Sequence, residues 1–185
     1  MTAAAATARR ELHLRRIVCT GFERDDGRWD IEGRLTDTRP VPLPLPEKTV
    51  APGAAIHDML VCLTIDRDFT IHDAWARTLA GPYRTCAEIN QRYTQLIGLR
   101  IEPGFTGKVK RLFRGVLGCS HLTELLPPMA TTAFQVRWSY PSVGRDVAGS
   151  TTPLGGCHAL RLDGEVVQRY FRQGFGAGAP VEDER

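Results

Sequence analysis

Residues 28–38 read RWDIEGRLTDT, and this stretch decides the fold. Trp29, Ile31, Gly33 and Leu35 alternate with Asp30, Glu32 and Arg34. A period of two sends successive side chains to opposite faces, so the stretch is a strand with one buried and one polar face. Upstream, residues 13–22 (HLRRIVCTGF) are rich in β-branched and aromatic side chains and read as a second strand. Between them Asp25-Asp26-Gly27 supplies the turn of a hairpin.

Downstream, Pro40, Pro42, Pro44, Pro46 and Pro52 remove donors and fix φ. Residues 40–55 are therefore expected to be an extended connector. A second hairpin follows: an apolar strand from Met59 to Ile65, a turn at Asp66–Asp68, and a return strand from Phe69 to Leu79 ended by Gly81-Pro82. Thr85 and Glu88 stand in capping-box spacing, which predicts a helix with Cys86 at its first position. Ile89, Tyr93, Leu96 and Ile97 form its apolar stripe, and Gly98 and Pro103-Gly104 close it. A second helix, with Ser120 as N-cap, carries Leu122, Leu125, Leu126, Met129 and Ala133, and Pro127-Pro128 should kink or restart it. A third hairpin is expected from Cys157 to Tyr170 around Asp163-Gly164. The Gly- and charge-rich residues 172–185 read as a disordered tail.

Together these predict an α+β fold, a mainly antiparallel sheet built from hairpins with two helices on one face. The expected organisation is one domain over 1–185. Its parts are an N-terminal hairpin (9–39), the connector, a core with the site (56–136), a C-terminal hairpin extension (137–171) and the tail.

The 185 residues suit one domain able to bury a core without staples. The formal charge of +3, from 24 basic and 21 acidic residues, is too balanced to suggest nucleic acid or an anionic membrane as partner. Residues 1–16 lack the apolar run of about 7–15 residues that a signal peptide needs. No apolar run approaches the roughly 20 residues of a membrane span. A cytoplasmic location is therefore expected. The five cysteines, Cys19, Cys62, Cys86, Cys119 and Cys157, form no CxxC pair and should be thiols there. Nucleotide, P-loop, HExxH and GxSxG signatures are absent.

The chemistry therefore rests on cysteines and histidines. Cys86 and Cys119 each lead into a helix, where unpaired N–H groups and the helix dipole favour a thiolate. A thiolate serves metal binding and nucleophilic attack alike; the competing role is a small apolar core residue. His121 lies two residues after Cys119, so the pair can share one metal. His57 and Asp58 add an imidazole and a carboxylate. Of the adjacent Cys157 and His158 only one can face a shared site, and His158 is the candidate. Glu124 is a candidate acid or base beside His121, unless it only complements the helix dipole. Cys19 and Cys62 read as core, His13 and His72 as surface.

The segments DGRWDIEGRLTDT, IHDM, GCSHLTELL, ATTAFQ and CHALRLDG, in this order, resemble the bacterial family called domain of unknown function 2889. That resemblance implies no activity. Residues 56–135 also resemble the NifU/IscU/SufU-type scaffold proteins of iron–sulfur cluster assembly. There a Cys-Gly-Asp leads into a strand of a hairpin, a second cysteine opens the helix after the hairpin, and a third opens the last long helix. The resemblance implies an iron–sulfur-scaffold-like core in which Asp58, Cys86 and Cys119 converge at one end of the sheet. The first scaffold cysteine is missing here, with His57 nearby, and Gly118 precedes Cys119 where the scaffolds have histidine.

The expected metal ligands are thus Asp58, Cys86, Cys119 and His121, with His57 and His158 as further candidates, for one zinc or iron ion or an iron–sulfur cluster. Three functions fit: a metal- or iron–sulfur-binding accessory protein with a protein partner; an enzyme acting on a small organic substrate through Cys119, Cys86, Glu124 or a bound metal; and a metal-free binding module. Whether the chain is an enzyme stays open at this level.

Overall fold

The computed structural model describes residues 7–139 and 154–171. They fall into two compact units, 1–136 and 137–185. The fold is α+β, and its centre is the four-stranded antiparallel sheet of the first unit, in the order β1-β2-β5-β6. β1 (Leu14–Glu23) and β2 (Trp29–Thr38) form the first hairpin, and Gly27 takes the left-handed conformation its turn requires (φ 78°). β5 (His57–Ile65) pairs with β2, and β6 (Ile71–Ala80) pairs with β5.

The alternation in β2 is obeyed without exception: Trp29, Ile31, Gly33, Leu35 and then Asp37 are buried, while the residues between them are at least partly open. Met59, Val61, Leu63 and Ile65 of β5 continue that buried face.

Two differences concern the strands. The proline-rich stretch was expected to lack regular structure, yet it holds a minimal ribbon of β3 (Leu43–Pro44) and β4 (Thr49–Val50). A two-stranded ribbon has free edges, so it tolerates Pro44. Phe69 belongs to the β5–β6 turn rather than to the return strand: it sits at φ 64°, and Asp66 Oδ1 accepts from the N–H groups of Asp68 and Thr70. Its buried ring packs at a tilt against Phe134, with centroids 4.7 Å apart, which fixes this strained position.

The first helical segment also departs from expectation. Arg84–Leu96 is a run of 310 turns, capped by the extended Tyr83 with no side-chain cap bond, so the Thr85/Glu88 capping box does not form. In 310 geometry residues three apart eclipse. Asn90, Tyr93 and Leu96 accordingly line up: Asn90 accepts from Thr78 of β6, and Tyr93 and Leu96 are fully buried. α1 (Phe105–Leu112) follows Gly104 at φ 91°, in a stretch to which the sequence pattern assigned no element of its own; Phe105 and Val109 bury its inner face.

α2 (Ser120–Ser139) crosses the buried face of the sheet. A Cβ on Gly33 would lie 2.6 Å from Met129 Sδ, and one on Gly21 would collide with Val136, so both glycines make room for the helix. Pro127 and Pro128 lie inside α2 without ending it. Each proline in a helix interior costs roughly 3 kcal/mol. Leu122, Leu125, Leu126 and Met129, all fully buried, offset this at about 1.5–3 kcal/mol each.

In the second unit the expected hairpin is replaced by a 310 turn (His158–Leu160) and a short helix, α3 (Glu165–Tyr170). Gly164 has φ −81°, not the positive value of a tight hairpin turn, and serves as the N-cap of α3. The tail expected at 172–185 lies outside the described residues. Among the described residues no helix is long and apolar enough to cross a membrane.

Candidate functional site

The register of the sheet builds a polar cluster at the end where β5 begins. Arg15 of β1 lies opposite Asp37 of β2, and Asp37 lies opposite His57 of β5. Directly opposed residues share a face, so the three side chains stand in a row on the buried side. α2 then brings His121 over them.

Asp37 is fully buried, and each of its oxygens takes two donors. Oδ1 accepts from Arg15 Nε at 2.8 Å and His13 Nε2 at 3.1 Å. Oδ2 accepts from Arg15 Nη2 at 2.8 Å and His57 Nδ1 at 2.9 Å. Burial pushes this carboxyl up, but the Arg15 and His13 hydrogen bonds, the Arg15 charge and the His57 bond outweigh it and hold it well below the usual carboxylate range. An ionised carboxylate only accepts. His57 therefore carries its proton on Nδ1, and its Nε2 lone pair is bare.

The His121 ring stacks on His57 with centroids 3.7 Å apart and planes 27° from parallel. Its Nε2 lies 3.7 Å from Asp37 Oδ2, and its Nδ1 lies 3.8 Å from Cys119 Sγ. Burial lowers the pKa of both imidazoles. For His57 the Asp37 hydrogen bond and charge oppose this only in part; for His121 the neighbouring His57 and Arg15 lower it further. Both rings are thus neutral near pH 7. Among the described residues, Asp37, His57 and His121 are the group whose metal-capable atoms all lie within 4.8 Å of one another.

Cys119 is held by its backbone. Its N–H donates to Tyr93 Oη at 3.1 Å and its carbonyl accepts from that hydroxyl at 2.9 Å, while Thr123 Oγ1 lies 2.8 Å from the same oxygen. The Cys119 carbonyl also closes the first turn of α2. Its sulfur is 3.8 Å from Met59 Sδ. Glu124 accepts from Arg15 Nη1 at 2.6 Å, linking the helix to the Asp37 clamp.

The expected residues therefore divide. His57 and His121 are stacked, Cys119 adjoins His121, and Glu124 joins the cluster through Arg15. Asp58, next to His57 on β5, points to the opposite face and forms a two-point pair with Arg34 at 2.8 and 2.6 Å. Cys86 is half-buried against Gly81, and neither it nor Cys119 is one of the 4.8 Å group; Cys119 reaches the cluster through His121 alone, at 3.8 Å. His158 is exposed in the second unit. Cys62 is buried, which pushes its thiol up to about 12. His13, read as a surface residue, is half-exposed but donates to Asp37.

Asp37 and Arg15 were not among the expected site residues. The signal for Asp37 lay in the alternation itself, since the step after Leu35 places a carboxylate on the buried face. Arg15 carries no comparable signal in a chain where nearly every cation is arginine.

A family model described as a protein of unknown function (DUF2889) matches residues 13–135, a span that contains His13, Arg15, Asp37, His57, Cys119, His121 and Glu124. No curated protein and no solved structure gives a significant match, so the likeness to iron–sulfur scaffold proteins gains no support there.

Proposed function

Since the chain belongs to the DUF2889 family of proteins of unknown function, membership brings no activity with it, and we propose from the site alone that it binds one zinc or iron ion at His57, His121 and Cys119. The observation that carries this is the pair of neutral imidazoles, 3.7 Å apart, anchored on one buried and ionised carboxylate. Asp37 belongs behind the ligands rather than among them. Its four acceptor positions are already taken by Arg15, His13 and His57, and a carboxylate that orients a histidine is the usual support of a metal site. Its contact to His121 Nε2 leaves His121 Nδ1 toward Cys119. A tetrahedral ion bound by sulfur at about 2.3 Å and nitrogen at about 2.0 Å holds the two roughly 3.5 Å apart, close to the 3.8 Å found here. Two imidazoles on one tetrahedral ion cannot stay stacked face to face, so one ring turns on loading. The donor group contains a single cysteine, which favours a mononuclear ion over an iron–sulfur cluster. Bound there, the ion supplies Lewis acidity in a protected site, and an accessory role as metal carrier draws on the same ligands.

The test is anoxic purification without chelator, then metal analysis. One equivalent is expected, falling as the pH drops because protons compete for thiolate and imidazole. His121→Ala and Cys119→Ser should lose the metal, and Cys62→Ser should keep it. Equal metal in wild type and His121→Ala would overturn the assignment.

A second reading has one specific observation behind it. Cys119 Sγ, His121 and Asp37 also stand in the order nucleophile, base and orienting carboxylate, at 3.8 and 3.7 Å. Rapid, stoichiometric alkylation of Cys119 by iodoacetamide in metal-free protein near neutral pH, abolished in His121→Ala, would favour it.

A further inference from the structure

A cleft of about 620 Å3 opens beside the start of α2, lined among others by Lys110, Phe113, Ser120, Thr123, Glu124 and Pro127. We propose that it is the substrate pocket of the same site and takes a small organic anion with a flat apolar body, such as an aromatic carboxylate. The identification as a substrate pocket rests on the reading above; the anion preference rests on the cleft.

The cleft and the cluster share a wall. Ser120 lies between Cys119 and His121. Thr123 is hydrogen-bonded to the Tyr93 hydroxyl that holds Cys119. Glu124 is bonded to Arg15, which clamps Asp37. Cys119 and His121 do not themselves line the cleft; a molecule there meets the cluster through Ser120, Thr123 and Glu124.

The volume falls within the range of about 300–1,000 Å3 typical of small-molecule sites. Its lining fixes the chemistry. Phe113 and Pro127 supply apolar walls. Lys110 is exposed and makes no hydrogen bond or ion pair to another described residue, so its ammonium is free to meet an anion. Ser120 adds a hydroxyl at the N-terminus of a 20-residue helix, whose unpaired N–H groups also favour negative charge. The opposing charge, Glu124, is offset by Arg15 at 2.6 Å.

The experiment titrates intact metal-free protein with benzoate and, separately, with its neutral analogue benzyl alcohol, followed by calorimetry and by NMR of the histidine ring protons. Benzoate should bind about tenfold more tightly than benzyl alcohol and shift the His121 resonances. Lys110→Met should lower benzoate affinity by about tenfold without changing benzyl alcohol binding, and Lys110→Arg should restore it. Metal content, measured on the same variants purified anoxically without chelator, should be unaffected by either substitution. Equal binding of the two probes, binding of neither, or an unchanged Lys110→Met would overturn the pocket assignment. Loss of metal in His121→Ala with benzoate binding kept separates the two assignments. So does a wild type that carries no metal when purified anoxically without chelator yet still selects benzoate.

Discussion

Replacing Asp37 by asparagine tests the organisation of the cluster most directly. The carboxylate accepts four hydrogen bonds, two of them from Arg15. An asparagine keeps one acceptor oxygen and turns its NH2 group toward donors. His57 can change tautomer to suit, but the guanidinium cannot, so one Arg15 N–H faces another donor whichever way the amide lies. Leaving a buried charge uncompensated costs about 3–5 kcal/mol. Arg15 is 35% exposed and retains Glu124 at 2.6 Å, which places the cost near the lower end, about 3 kcal/mol. With a urea slope of about 2 kcal/mol/M, the midpoint should fall by about 1.5 M. Asp58→Asn is the matched control: its partner Arg34 is 53% exposed, and such surface pairs contribute about 1 kcal/mol or less. Urea melts followed by fluorescence and circular dichroism measure both. A double-mutant cycle with Arg15→Met should show strong coupling, because removing both partners takes away the orphaned charge. If Asp37→Asn is no more destabilising than Asp58→Asn, Asp37 is not the anchor of the cluster and the physical case for the site fails.

Thr85→Ala should change stability by less than about 0.5 kcal/mol, since Thr85 is exposed and Tyr83 holds the cap position; a loss of about 1 kcal/mol would mean that the capping box forms after all. Gly33→Ala should cost about 1–3 kcal/mol, because its Cβ would stand 2.6 Å from the buried Met129 sulfur; thermal melts measure it, and an unchanged midpoint would show that α2 sits farther from β2. Stability should decline as the pH falls below about 6.5, where the unfolded histidines take up protons that His57 and His121 resist. A further decline below about 4 should follow as unfolded carboxyls protonate while Asp37 stays ionised, and it should be smaller in Asp37→Asn, where Asp26, Asp66 and Glu102, also held low, supply the remainder. Flat stability between pH 7 and 5 would contradict the neutral imidazoles.

The strands that build the site were legible because half-burial writes a period of two into local sequence. The hairpins β1–β2 and β5–β6 followed from that periodicity and from turn chemistry, and the apolar face of α2 from the helical spacing of Leu122, Leu125, Leu126 and Met129. The helical segment after Tyr83 was legible but its 310 winding and α1 were not, because both are held by contacts from elsewhere: Asn90 on Thr78, Tyr93 on Cys119, and the ring of Phe113 stacked on Tyr93 at 4.4 Å. The error at Asp163-Gly164 has the same origin, since the dipeptide suits a hairpin turn or a helix start and only the surrounding chain selects one.

At the site, the residue types on offer, and the shared helix start of Cys119 and His121, could be read along the chain. Which of them meet depends on how the strands and α2 come together. Strand register set Arg15, Asp37 and His57 side by side from positions far apart in the chain. The same alternation turned Asp58 to the opposite face and gave it to Arg34. Neighbours then set what composition cannot reveal: Arg15, His13 and His57 keep one carboxylate ionised against its burial, and burial leaves two imidazoles neutral beside it. Local patterns record which face a side chain takes, whereas its charge state depends on neighbours that only folding supplies.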